Sequence, residues 1–122
     1  MSKIEAKKIA LHIVSAARSK KARDIKVLDM RKVCGFCDYF VLMSATSLRQ
    51  AGAVAEAINE ALLGHGVKSL SGLNPNDESG WMALDYSSVI AHIFTEPMRE
   101  FYALDRLWSE ARKVRLPRQE KG

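Results

Sequence analysis

The chain has 122 residues, 48% of them apolar and 27% charged, with a formal net charge of +5; that suits one domain around one ordinary core and excludes a disordered chain. Apolar runs span only a few residues, far short of the roughly 18 that suggest a membrane span. The early lysines lead into no apolar stretch with a cleavage site, so no secretory signal is read and a cytoplasmic location is expected.

Charge is unevenly spread. Residues 1–23 hold seven Lys/Arg against Glu5 alone, and residues 112–122 hold five against Glu120, so the body between them is net negative by five. Basic ends attract phosphate with an affinity that falls as salt rises; solvated lysines that keep a small protein soluble are the plainer reading.

The first element follows Ser2-Lys3-Ile4-Glu5, which has capping-box spacing. Apolar residues then recur at Ala6, Ile9, Ala10, Ile13, Val14 and Ala17, one stripe of an amphipathic helix ending near Arg18-Ser19-Lys20-Lys21. Asp24 to Met30 reads as a first strand. Between it and the next strand stand the two cysteines, Cys34 and Cys37. A C-x-x-C can be a redox pair or half of a zinc site. His12, His65 and His92 supply no partnering ligand spacing, and a strand rather than a helix follows Cys37, so two reduced thiols are expected.

Tyr39 to Ser44 is apolar on both parities, the pattern of a strand covered on both faces near the middle of a sheet. Ser47-Leu48-Arg49-Gln50 offers a second capping box before a helix with Ala51, Val54, Ala55, Ile58 and Leu62 on one face. Gly64-His65-Gly66 ends it, glycine accepting the left-handed cap conformation. A short strand is predicted over Val67–Leu70, then a loop from Ser71 to Gly80 rich in Gly, Asn and Pro. Two strands follow, Trp81–Tyr86 and Val89–Phe94. Thr95 and Pro97 open a last helix with Phe101, Leu104, Leu107, Trp108 and Ala111 inward. The tail from Val114 is expected to fray. The predicted order is α-β-β-α-β-β-β-α: an α/β domain with a single mixed sheet and flanking helices over residues 1–113, and a basic flexible tail over 114–122. No G-x-G-x-x-G or phosphate-loop lysine motif is present.

The two strands from Trp81 to Phe94 carry the most functional information. With Ser87-Ser88 as a two-residue turn, Tyr86 pairs with Val89, Leu84 with Ala91 and Met82 with Ile93, an apolar face with the composition of a core. The other face pairs Asp85 with Ile90, Ala83 with His92 and Trp81 with Phe94. Aromatics beside a few polar groups are the make-up of an interface hot spot. Trp81, Ala83, Asp85, Ile90, His92 and Phe94 are therefore the candidate partner-binding residues, on a face expected to be left uncovered. A structural alternative is that the fold covers this face too and His92 is an ordinary buried histidine.

Several segments together resemble a known family. These are Asp38-Tyr39-Phe40-Val41-Leu42; Ala45-Thr46-Ser47 with Arg49; Gly80-Trp81 through Leu84-Asp85-Tyr86; Ala91-His92-Ile93-Phe94; and Arg99-Glu100-Phe101-Tyr102 with Leu104-Asp105-Arg106-Leu107-Trp108. In that order, from about Lys3 to Lys113, they are similar to the Iojap-like ribosomal silencing factors. The resemblance implies a nucleotidyltransferase-like fold without the activity, no cofactor and no metal. It also implies binding to ribosomal protein fourteen of the large subunit, which blocks joining of the subunits and represses translation. Trp81, Asp85 and His92 are the positions it carries over as contacts. The chain departs from the family pattern at Cys34 and Cys37, where small or hydroxyl residues are usual. It departs again at Ser69-Leu70-Ser71-Gly72-Leu73-Asn74, before a longer loop.

Two other readings compete. An active nucleotidyltransferase needs clustered carboxylates to hold magnesium, but Asp24 and Asp29 are five apart, Asp85 stands alone on its strand and Asp77-Glu78 lies in a loop. An RNA-binding module would interleave aromatics with its cations, and residues 1–35 and 112–122 contain none. The basic ends are thus expected to give at most auxiliary contact with ribosomal RNA. Whether the chain also pairs with a second copy through its sheet is left open by the sequence.

Overall fold

The computed structural model describes residues 5–33, 37–70, 80–102 and 112–114. In chain order the elements are α1 (Ala6–Ser19), β1 (Arg23–Asp29), β2 (Tyr39–Ala45), α2 (Leu48–Leu63), β3 (Trp81–Asp85), β4 (Val89–Thr95), α3 (Glu96–Tyr102) and β5 (Arg112–Val114). The strands form one five-stranded mixed sheet in the order β3-β4-β2-β1-β5. Among the described strands β2 and β4 are parallel and the other pairs antiparallel. A parallel pair needs a crossover, and α2 lies in the connection that supplies it.

The helices form where the apolar stripes predict. Ile9, Ala10, Ile13, Val14 and Ala17 of α1 are buried, as are Ala51, Val54, Ala55, Ile58 and Leu62 of α2. Ser2 lies outside the described residues; α1 begins after Glu5, whose side chain makes no capping bond. At α2 the Ser47 hydroxyl accepts the Gln50 amide at 3.0 Å, the expected half of a capping box. The other half is displaced by one residue, with Gln50 Oε1 accepting from the Thr46 amide at 2.6 Å.

Both helices end in paired backbone bonds closed by a left-handed residue. At α2 the Val67 amide donates to Leu62 and the Gly66 amide to Leu63. The left-handed residue is Gly66, at φ +76, whereas Gly64 stays helical. At α1 the same bonds run from Ala22 to Ala17 and from Lys21 to Arg18, and here Lys21 takes φ +64. Gln50 joins the two ends, its Nε2 donating to the Lys20 and Lys21 carbonyls at 3.1 and 3.2 Å.

Both faces of the sheet are covered, unequally. Against one lie α1 and α2, over a large core that includes Val41, Met43, Leu84, Tyr86, Val89, Ala91 and Ile93. On the other, a smaller cluster of Leu28, Met30, Cys37, Phe40, Leu42 and Phe94 is partly closed by Val33, Trp81, Ile90 and Met98. Every residue of β2 is buried, as its doubly apolar sequence implies.

Three expectations are corrected. Val67–Leu70 forms no strand; it touches the sheet edge through the Leu70 amide, which donates to the Asp85 carbonyl at 2.7 Å. A strand not foreseen, β5, pairs Val114 with Val27, so the first residue of the expected tail is part of the sheet. The element order is accordingly α-β-β-α-β-β-α-β. The helical positions 104–111 and the rest of the tail lie outside the described residues.

Candidate partner-binding face

The paired strands β3 and β4 have the register that the sequence predicts: Trp81 opposite Phe94, Met82 opposite Ile93, Ala83 opposite His92, Leu84 opposite Ala91 and Asp85 opposite Ile90. Their turn is built by two features. Ser87 takes φ +71, and its amide donates to Asp85 Oδ1 at 2.8 Å, so the carboxylate satisfies a turn donor. At the other end Gly80, at φ +82, accepts the Thr95 amide at its carbonyl, 2.9 Å away.

Period-two alternation then sends Met82, Leu84, Tyr86, Val89, Ala91 and Ile93 toward the helices, and Trp81, Ala83, Asp85, Ile90, His92 and Phe94 to the opposite face. The pairings extend this second face across the sheet in rows: Asp85, Ile90, Phe40 and Leu28; then Ala83, His92, Leu42 and Lys26.

Contrary to the expectation from sequence, the face is not open throughout. Phe94 is only 1% exposed and His92 only 6%. The reason is position in the sheet: β4 is an interior strand. Its second face is packed with Phe40, Leu42 and the Trp81 ring, while Met98 of α3 and Val33 of the β1–β2 connection close in from the rim. On β3, the outermost strand on that side, Ala83 is exposed and Trp81 and Asp85 are half-buried, as is Ile90 on β4. The structure therefore brings the six residues together but divides them. Trp81, Ala83, Asp85 and Ile90 form an accessible rim, and His92 and Phe94 lie beneath it.

The buried pair shapes that rim. The Trp81 ring stacks on Phe94 at 5.5 Å between centroids, inclined by 23°. Its indole Nε1 donates to His92 Nδ1 at 3.2 Å, and the His92 ring meets Phe40 edge-on at 4.7 Å. Burial pulls the His92 pKa down to about 4, so the ring is neutral near pH 7. An indole N–H can only donate, so Nδ1 must be the unprotonated nitrogen and the proton sits on Nε2. That buried Nε2 has no hydrogen-bond partner among the described residues.

A residue of the family motif that was not among the candidate contacts locks the surroundings. Arg99, buried on α3, donates from Nη1 to the Asp24 carbonyl at 2.6 Å and to Ser44 Oγ at 3.0 Å. It thereby pins α3 across β1 and β2, where Asp24 sits at φ +51 in a break of the β1–β2 register.

The carboxylates are engaged separately. Asp29 holds Arg31 through two contacts of 2.9 and 2.6 Å, Asp24 Oδ2 lies 3.6 Å from Arg99, and Asp85 serves the turn. No three His, Cys, Asp or Glu side chains among the described residues converge as a metal site. Cys37 is buried in the smaller cluster and in no disulfide among the described residues, and Cys34 lies outside them. No helix of the described residues is long and apolar enough to cross a membrane.

Comparisons with known proteins identify the family and the fold. The sequence matches the family described as ribosomal silencing factor during starvation over residues 3–122. It is 35% identical over 107 residues to a ribosomal silencing factor of Bacillus subtilis, covering 85% of this chain and 88% of that protein. It is also 30% identical over 110 residues to the chloroplastic protein Iojap of Zea mays, covering 88% of this chain but 46% of that longer protein. A crystal structure of a protein from Chromobacterium violaceum shares the fold, with a TM-score of 0.82 over 98% of this chain and 95% of that one, at 23% identity. Another from Bacillus halodurans gives 0.78 over 90% and 99% at 24% identity. With the family matched along nearly its whole length, the chain belongs to the ribosomal silencing factors, and so to the regulation of translation.

Proposed function

We propose that this protein acts in the cytoplasm as a steric repressor of translation, docking on ribosomal protein fourteen of the large subunit and blocking association of the subunits. The observation that carries the reading is the rim on the second sheet face: an exposed Ala83 flanked by half-buried Trp81, Ile90 and Asp85. Apolar and aromatic surface with a single carboxylate is the composition of a protein contact, and it sits on the side of the sheet away from α1 and α2. An interface of ordinary size takes roughly 800 Å² from each partner, about what one sheet face and its border can offer. Repression then needs no chemistry, since a bound factor occupies the surface that the small subunit requires. The fold is read as nucleotidyltransferase-like but put to non-catalytic use. The basic ends add auxiliary attraction to ribosomal RNA.

Co-sedimentation with purified large subunits tests this. Trp81→Ala is expected to weaken binding by ~2 kcal/mol or more, as removal of a hot-spot aromatic does. Ala83→Glu places a charge on the rim without touching the core, and is expected to weaken binding while leaving the unfolding midpoint unchanged. Normal co-migration of both variants would remove this face from the contact. A pull-down with ribosomal protein fourteen alone separates protein docking from RNA attraction. Affinity for whole subunits that ignores added salt would exclude the auxiliary role of the basic ends.

A further inference from the structure

His92 poses a physical problem. A neutral imidazole is buried in an otherwise apolar cluster with one nitrogen bonded to an indole and the other left without a partner among the described residues. A buried, unsatisfied donor opposes folding, and a phenyl or isobutyl group of similar size would fill the same space without it. The fold therefore carries an acceptor at Nδ1 at some expense, and among the described residues the bond that nitrogen makes is to Trp81.

We propose that His92, through its Nδ1 acceptor, is the positioning residue that holds the Trp81 indole flat against Phe94 and so fixes the shape of the docking rim. Trp81 is half-buried and stands on the outermost strand, where an aromatic side chain has more than one staggered rotamer open to it. Stacking on Phe94 restricts its tilt but not its rotation within the plane of contact. A hydrogen bond from Nε1 to a nitrogen on the neighbouring diagonal of the strand pair constrains that rotation. A ring already held in its bound orientation loses less freedom when a partner covers it, which is the usual gain from pre-organisation. His92 itself is too deeply buried to touch a partner; it acts through Trp81.

This inference rests on the docking reading above, and its test keeps the two apart. His92→Phe keeps the ring and removes the acceptor. His92→Asn puts an amide oxygen near the position of Nδ1. In ¹⁵N-labelled protein the Trp81 indole N–H resonance is assigned by its loss in Trp81→Phe. Its exchange with solvent is expected to quicken at least tenfold in His92→Phe and to stay near the wild-type rate in His92→Asn. Affinity for purified large subunits should fall about five- to tenfold in His92→Phe and be largely restored in His92→Asn. Meanwhile the urea midpoint of His92→Phe should equal or exceed that of the wild type, because the unsatisfied donor is gone. A purely structural histidine would give the reverse, with stability and affinity falling together, and that result overturns the proposal. So does an unchanged indole exchange rate in His92→Phe, or a mobile indole with undiminished affinity. If the wild-type protein fails to bind large subunits at all, the docking reading falls and the functional half of the inference with it.

Discussion

At Gly80 a Cβ would lie 2.5 Å from Met98 Cγ and 2.9 Å from Thr95 Oγ1, on a backbone already at φ +82. Side chains avoid both the contact and the conformation. Gly80→Ala is expected to destabilise the fold by about 2–3 kcal/mol in urea unfolding, since Met98 must move out of the smaller cluster it helps to close. The motif in which this glycine precedes Trp81 was visible in the sequence, but its reason was not. That reason is a contact with a helix that begins sixteen residues later. The indole–imidazole bond was hidden similarly. Strict cross-strand pairing sets Trp81 against Phe94 and His92 against Ala83, so the contact that matters runs along a diagonal.

Among the elements, those with a clear period were legible and those without were not. The faces of α1, α2 and the Trp81–Phe94 hairpin follow from spacings of 3.6 and 2, and the hairpin register follows from its two-residue turn. The Val67–Leu70 segment has too little alternation to separate a strand from an edge-hugging coil, and only one backbone bond ties it to β3. Arg112–Val114 is three residues long and two of them are cationic, so its pairing with β1 is decided by tertiary contact alone. The end of α1 offers a direct test of element chemistry. Lys21 fills a left-handed closing position that glycine fills at the end of α2. Lys21→Gly should therefore raise stability by up to ~1 kcal/mol, seen as a higher urea midpoint with an unchanged slope. For α3, seven residues long, the anchor is Arg99. Arg99→Ala would leave Ser44 Oγ and the Asp24 carbonyl without this donor, and is expected to cost about 3 kcal/mol in the same assay.

For the molecule as a whole, two histidines set an acid limit. His92 is held at about 4 by burial, below its ordinary 6.5. His12 is also lowered, first by burial, then by His65, which stacks on it at 4.0 Å, and by Lys8. Both groups bind protons more weakly folded than unfolded, so the unfolded chain gains protons first. Their stabilising contribution is full above pH 6.5 and is lost as pH falls below it, for His92 down to about 4. For His92 the loss is ~3 kcal/mol once pH reaches about 4. Urea midpoints at pH 7.5 and 4.5 should show the drop, and His92→Phe should remove most of it; an equal drop in that variant would exclude His92 as the source.

The sheet closes with β5 lying beside β1, so the chain's opening strand waits for a segment made some eighty residues later. Any copy that stops before Arg112 leaves the outer margin of β1 without its neighbour. Such a copy offers the unpaired backbone of Val27 and Leu28 to whatever strand is near, which makes late truncations the forms most prone to pair wrongly.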